Sequence, residues 1–121
     1  HAHIWNAGLP EVLIVSNTGK IKQRIKSVHL PLGVADYDAD EMQCVDLCLE
    51  IGDMVYMYSD GLTEAENEAG EMFGQQRFEQ LLSNTTDEDG RLVGIRNQVS
   101  NYMGKMSATD DISIVEIKTL S

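Results

Sequence analysis

The sequence is poor in residues that staple, break or anchor a chain: 121 residues include two cysteines, two prolines and one tryptophan. Both cysteines lie in Met42-Gln43-Cys44-Val45-Asp46-Leu47-Cys48-Leu49, where Val45, Leu47 and Leu49 alternate with the other face and predict a half-buried strand. Four residues at ~3.3 Å each set the two Cα atoms roughly 13 Å apart, beyond the ~7 Å reach of a disulfide. A disulfide scaffold is therefore excluded. Thiols with no His at ligand spacing are expected to pack in a strand within a reducing, cytoplasmic compartment. Long apolar runs are also missing, since stretches such as Val12–Val15 and Met54–Tyr58 fall far short of the ~20 residues that span a bilayer. The start, His1-Ala2-His3-Ile4-Trp5, lacks the basic and apolar regions of a signal peptide. It also lacks an initiator Met, and the stretch is expected to be part of something longer.

Positive charge is scarce. Nine Lys and Arg against twenty Asp and Glu give a net charge of −11, which repels phosphate backbones and argues against nucleic acid as a partner. From position 27 to 76 there is no Lys or Arg, while twelve acids occur. Most of these are expected to be solvated, but an acidic field of this kind also attracts a hard divalent cation. Lys20, Lys22, Arg24 and Lys26 alternate, as on one face of a Lys-guarded edge strand.

What is present suffices for one domain over residues 1–121, with 42% hydrophobic residues and a length within the usual ~100–150. Strands are predicted over 3–7, 12–16, 21–26, 42–49 and 54–59, the last apolar on both faces like a covered central strand. Phe78, Leu81 and Leu82 predict a helix over 75–82. A second helix follows a Thr86-Asp87 cap, its stripe being Leu92, Ile95, Val99, Tyr102, Met103 and Met106. A strand over 112–117 closes the chain. This order implies an α+β fold with mainly antiparallel sheets and two C-terminal helices.

Two acidic positions sit at strand–loop junctions, where the backbone holds a side chain rigidly. Asp60 follows the apolar strand and precedes Gly61, expected to permit a sharp turn; Asp110-Asp111 precede the closing strand. Carboxylates from separate strand ends suit Mg²⁺ or Mn²⁺, and such a centre activates water for in-line attack on phosphorus without a Ser, Cys or His nucleophile. The competing reading is that these acids satisfy turns.

Taken in order, Asn6-Ala7-Gly8, Pro31-Leu32-Gly33-Val34, the stretch from Ile51-Gly52-Asp53 through Ser59-Asp60-Gly61-Leu62-Thr63-Glu64-Ala65, Met72-Phe73-Gly74-Gln75-Gln76-Arg77-Phe78, and Asp110-Asp111-Ile112-Ser113-Ile114-Val115 resemble the phosphatase domain of the stage II sporulation protein E and sigma-B regulator type, within the metal-dependent protein phosphatase 2C superfamily. The resemblance implies an αββα sandwich, here incomplete, because the family's Asp-x-x-Gly-His-Gly-like motif and part of one helical layer lie upstream of the position matching Asn6. It implies that Asp60 and Asp110 are ligands of a two-metal Mn²⁺/Mg²⁺ centre, with Gly61 and Asp111 beside it. Leu9 stands where the family usually has His. The implied activity is hydrolysis of phosphoserine or phosphothreonine on a regulatory protein such as an anti-sigma-factor antagonist, in bacterial partner switching. With one metal-bridging Asp missing, the 121-residue chain alone is expected to turn over little, and homodimerisation is expected to cover the sheet surface left bare. A non-catalytic module that binds a protein partner through the same fold is the alternative.

Overall fold

In the computed structural model the described residues are 2–4, 6, 9–27, 45–84, 90–106 and 111–120. They form β1 (Ala2–Ile4), β2 (Val12–Val15), β3 (Ile21–Ile25), β4 (Val45–Leu47), β5 (Met54–Tyr58), α1 (Asp60–Thr63), α2 (Gly74–Asn84), α3 (Arg91–Met103) and β6 (Ile114–Lys118). β1 and β4 make a two-stranded sheet; the other strands make a four-stranded sheet in the order β3-β2-β5-β6, and every pairing is antiparallel.

Strand alternation divides the core into two layers. Leu13 and Val15 of β2, with Met54, Tyr56 and Tyr58 of β5, point to the helices and pack with Leu62, Phe73, Phe78, Leu82, Ile95 and Val99. Val12 and Ile14, with Val55, point the other way and pack with Ile25 and with Leu47 of the second sheet. Burial on both faces is what the continuous apolar runs of β2 and β5 predict. The layers are therefore helices, four-stranded sheet, two-stranded sheet.

The β2–β3 turn is a tight hairpin in which Ser16 N–H donates to Lys20 O and Gly19 N–H to Ser16 O. Gly19 has φ +89°, and a Cβ there would lie 2.7 Å from Leu82 O. A left-handed backbone and contact with the end of α2 both require glycine at this position. β3 is the sheet edge expected from its alternating basic residues: Lys22 pairs with Asp53, and Arg24 with Glu11 and Glu79.

Several expectations are revised. Cys48 lies beyond the end of β4, exposed, so it does no packing; Cys44 falls outside the described residues. The Thr86-Asp87 cap also falls outside them, and α3 starts at Arg91 after Gly90. The stripe holds from Leu92 to Met103, but Met106 lies past the helix and is exposed. Gly61 makes no left-handed turn: it is buried inside α1, and its φ is not positive.

Candidate active site

Asp60 is the first residue of α1, separated from the end of β5 only by Ser59. The strand end that carries it is anchored on three sides. Tyr58 O–H donates to Gln75 Oε1 of α2 at 2.7 Å, and its ring packs on Phe78 with centroids 4.6 Å apart. Burial pushes the Tyr58 phenol up to about 12, so it remains a neutral donor at physiological pH. Leu62, two residues on, is buried in the helical-side core. Within the turn, Glu64 N–H and the Thr63 hydroxyl both donate to Asp60 O. The backbone at Asp60 is thereby held, while its side chain is exposed.

Ser59 joins this turn to the segment ahead of β6. Its N–H donates to Ser113 O at 2.9 Å, its hydroxyl donates to Asp111 O at 3.0 Å, and Ser113 N–H donates to the Ser59 hydroxyl at 2.9 Å. These bonds span more than fifty positions of sequence and place Asp60 next to Asp111 at one end of the four-stranded sheet. Asp111 is exposed, like Asp60; Asp110 falls outside the described residues. Beside this end lies an apolar cleft of about 450 Å³ between α3 and β6, with Leu62, Ile112 and Ile114 among its walls.

Among the described residues, no three His, Cys, Asp or Glu side chains gather as a metal site. The donors at the sheet end are nonetheless right in kind, since carboxylate oxygens are what Mg²⁺ and Mn²⁺ prefer. They are short in number. The acids following Asp60 are arranged differently: Glu66 and Met72 bridge a small hairpin, in which Asn67 Oδ1 accepts the N–H groups of Ala69 and Glu71. The hairpin is fastened to the helices, as Arg77 donates to Met72 O, Phe73 O and the Tyr102 hydroxyl, and Tyr102 stacks edge-on against Phe73.

Three side chains that organise this region were given no role of their own in the sequence reading. Ser59 could have been suspected as a polar residue at a strand–helix junction, but its hydroxyl caps no helix; it bonds across to the far chain end. Asn6 is buried, donating to Pro10 O and Ile25 O, so the Asn6-Ala7-Gly8 motif has at least one structural member. Arg91 is wholly buried and reaches the Tyr56 hydroxyl, which donates to Glu116. A cation at the head of an amphipathic stripe gives no sequence signal of that burial.

The solved SiaA-PP2C domain of Pseudomonas aeruginosa superposes with a TM-score of 0.74 at 23% identity, over 93% of this chain and 44% of that one. The architecture is thus part of a protein phosphatase 2C-like fold. Protein IcfG of Synechocystis sp. (strain ATCC 27184 / PCC 6803 / Kazusa) is 29% identical over 113 residues, 93% of this chain. The chain spans 17% of that relative's length. The family model for stage II sporulation protein E (SpoIIE) matches residues 1–120, nearly the whole chain, and the chain therefore belongs to the SpoIIE family of phosphatase-type domains.

Proposed function

We propose that residues 1–121 are the C-terminal part of a single metal-dependent serine/threonine phosphatase domain that acts on a phosphorylated regulatory protein of the anti-sigma-factor antagonist kind. The observation that carries this reading is the Ser59 junction, which sets two acid-bearing chain segments side by side at one sheet end. Asp60 and Asp110 are the metal-holding residues in this reading, with Gly61 and Asp111 beside them. When bound there, Mn²⁺ or Mg²⁺ would polarise the phosphoryl group and lower the pKa of an attacking water. The chain's own part is positional: Ser59, Tyr58 and Leu62 hold the Asp60 turn, and the exposed carboxylate faces solvent where a phosphorylated loop can reach it. Remaining ligands are supplied from outside these 121 residues, because two or three carboxylates do not complete a two-metal centre.

The test is Mn²⁺-dependent phosphate release from a phosphoserine protein by the longer protein containing this chain. Asp60→Asn is expected to lower the rate by about 100-fold or more, as loss of a metal ligand does. Unchanged activity would remove Asp60 from the site. A longer protein that releases no phosphate yet binds its regulator would favour the partner-binding alternative.

A further inference from the structure

We propose that the Ser59 hydroxyl is a positioning group for the candidate site: it stands in for a backbone carbonyl in the β5–β6 ladder and thereby sets how tightly the acids at this sheet end hold a divalent cation. Ser59 touches no metal in the metal-dependent reading on which this rests. It acts through the two chain segments that carry the acids.

β5 and β6 pair with Tyr58 opposite Ile114, so Ser59 stands opposite Ser113, one step past the end of both strands. Thr119 N–H donates to Asp53 O, which makes the odd-numbered pairs the ones that exchange two hydrogen bonds. An unbroken ladder would give Ser59 N–H to Ser113 O and Ser113 N–H to Ser59 O. The first bond is present at 2.9 Å. In place of the second, Ser113 N–H donates to the Ser59 hydroxyl at 2.9 Å, because Ser59 O has turned into α1, where it accepts Leu62 N–H at 3.1 Å. A side-chain oxygen thus completes the rung that the start of the helix takes away.

The hydroxyl proton then carries the pairing further. Having accepted Ser113 N–H, the same oxygen donates to Asp111 O at 3.0 Å, two residues beyond. One chain therefore leaves the sheet as the helical turn that bears Asp60, while the opposite chain stays alongside it as far as Asp111. A serine just ahead of a helix ordinarily caps that helix's own N–H groups, but this one makes no such bond and uses donor and acceptor across the junction instead. Alanine removes both side-chain bonds and keeps only the backbone one. Threonine keeps the oxygen. Groups that orient metal ligands without touching the ion typically change affinity by about 10–100-fold, and half-buried Ser59 belongs at the low end because water reaches the junction.

Calorimetric titration of the metal-free longer protein with MnCl₂ reads the affinity, and the Mn²⁺ dependence of phosphate release separates affinity from turnover. Ser59→Ala is expected to weaken Mn²⁺ binding by about tenfold, with a rate at saturating Mn²⁺ within about twofold of wild type. It is also expected to speed amide exchange at Ser113 in the metal-free protein. Ser59→Thr is expected to match wild type in all three measurements. Circular dichroism checks folding, and if Ser59→Ala does not fold, Ser59→Cys, a weak donor and acceptor of similar reach, takes its place. Wild-type Mn²⁺ affinity in Ser59→Ala, unchanged exchange at Ser113, a rate that stays low at saturating Mn²⁺, or a Ser59→Thr as weak as Ser59→Ala would overturn the proposal. With Mn²⁺ binding lost in Asp60→Asn, any of these outcomes leaves the metal reading standing. Mn²⁺ binding indifferent to Asp60→Asn would overturn that reading and the role of Ser59 with it.

Discussion

Asp53 shows how one carboxylate can be set apart from the acids around it. It is buried at the start of β5, where one oxygen accepts both Lys22 Nζ at 2.7 Å and Glu50 N–H at 2.8 Å. Burial alone would push this carboxyl up, but the Lys22 hydrogen bond, the Glu50 N–H and the lysine charge together hold it below its ordinary 3.8. Lys22 is raised above 10.5 chiefly by the same hydrogen bond. A depressed carboxyl contributes stability above its unfolded value and loses it as pH falls through the folded one. Asp53→Asn is therefore expected to lower the melting temperature at pH 7 by a few degrees and to flatten its decline below about pH 4. A variant with an unchanged acid limb would show that the pair is not linked to folding. Gly19 is a second test at this scale. Gly19→Ala places a side chain at φ +89° and against Leu82 O, and is expected to cost about 1–3 kcal/mol in urea unfolding. Neither residue stood out in the sequence for these reasons, since burial of Asp53 and contact of Gly19 with α2 arise from distant segments.

At the scale of elements, local patterns carried much of the fold. The apolar runs of β2 and β5 and the 3.6-residue stripe of α3 were readable because each is a short-range consequence of side-chain direction. Contacts between elements were not readable in the same way. After Asp60, α1 is a single helical turn, and the hairpin from Glu66 to Met72 depends on Arg77 and Tyr102, five and thirty residues further on. Tyr102 read as part of a packing stripe, and it does pack on Phe73, but its hydroxyl also accepts from Arg77 and donates to the hairpin backbone. Tyr102→Phe keeps the ring contact and removes these bonds, so it is expected to cost about 0.5–1.5 kcal/mol and to raise amide exchange across 66–72. Equal exchange in the variant would show that the hairpin holds without α3. At the candidate site, Asp60 was legible as an acid after a strand, whereas Ser59, which fixes the neighbourhood of Asp60, was visible only after folding.

Across the whole molecule, the four-stranded sheet is covered unequally. On the helical side, α1, α2 and α3 bury Phe78, Leu82, Leu13 and Tyr56 completely, and the buried chain from Arg91 through Tyr56 to Glu116 crosses the layer. On the other side, the two-stranded sheet covers Val12, Ile14 and Val55, while Val115 and Ile117 on the same face remain half exposed. Truncation should therefore cost different amounts on the two faces. A cavity at Phe78 is enclosed by strands, helix and the Tyr58 ring and has little room to collapse, so Phe78→Ala is expected to cost about 3–5 kcal/mol. Leu47 belongs to the smaller cluster and sits on a two-stranded sheet that can shift inward, so Leu47→Ala is expected near the lower end, about 2 kcal/mol. Urea denaturation of both variants, with the slopes compared as well as the midpoints, checks this ordering. A Leu47→Ala cost equal to that of Phe78→Ala would mean that the inter-sheet layer is as rigid as the helical one.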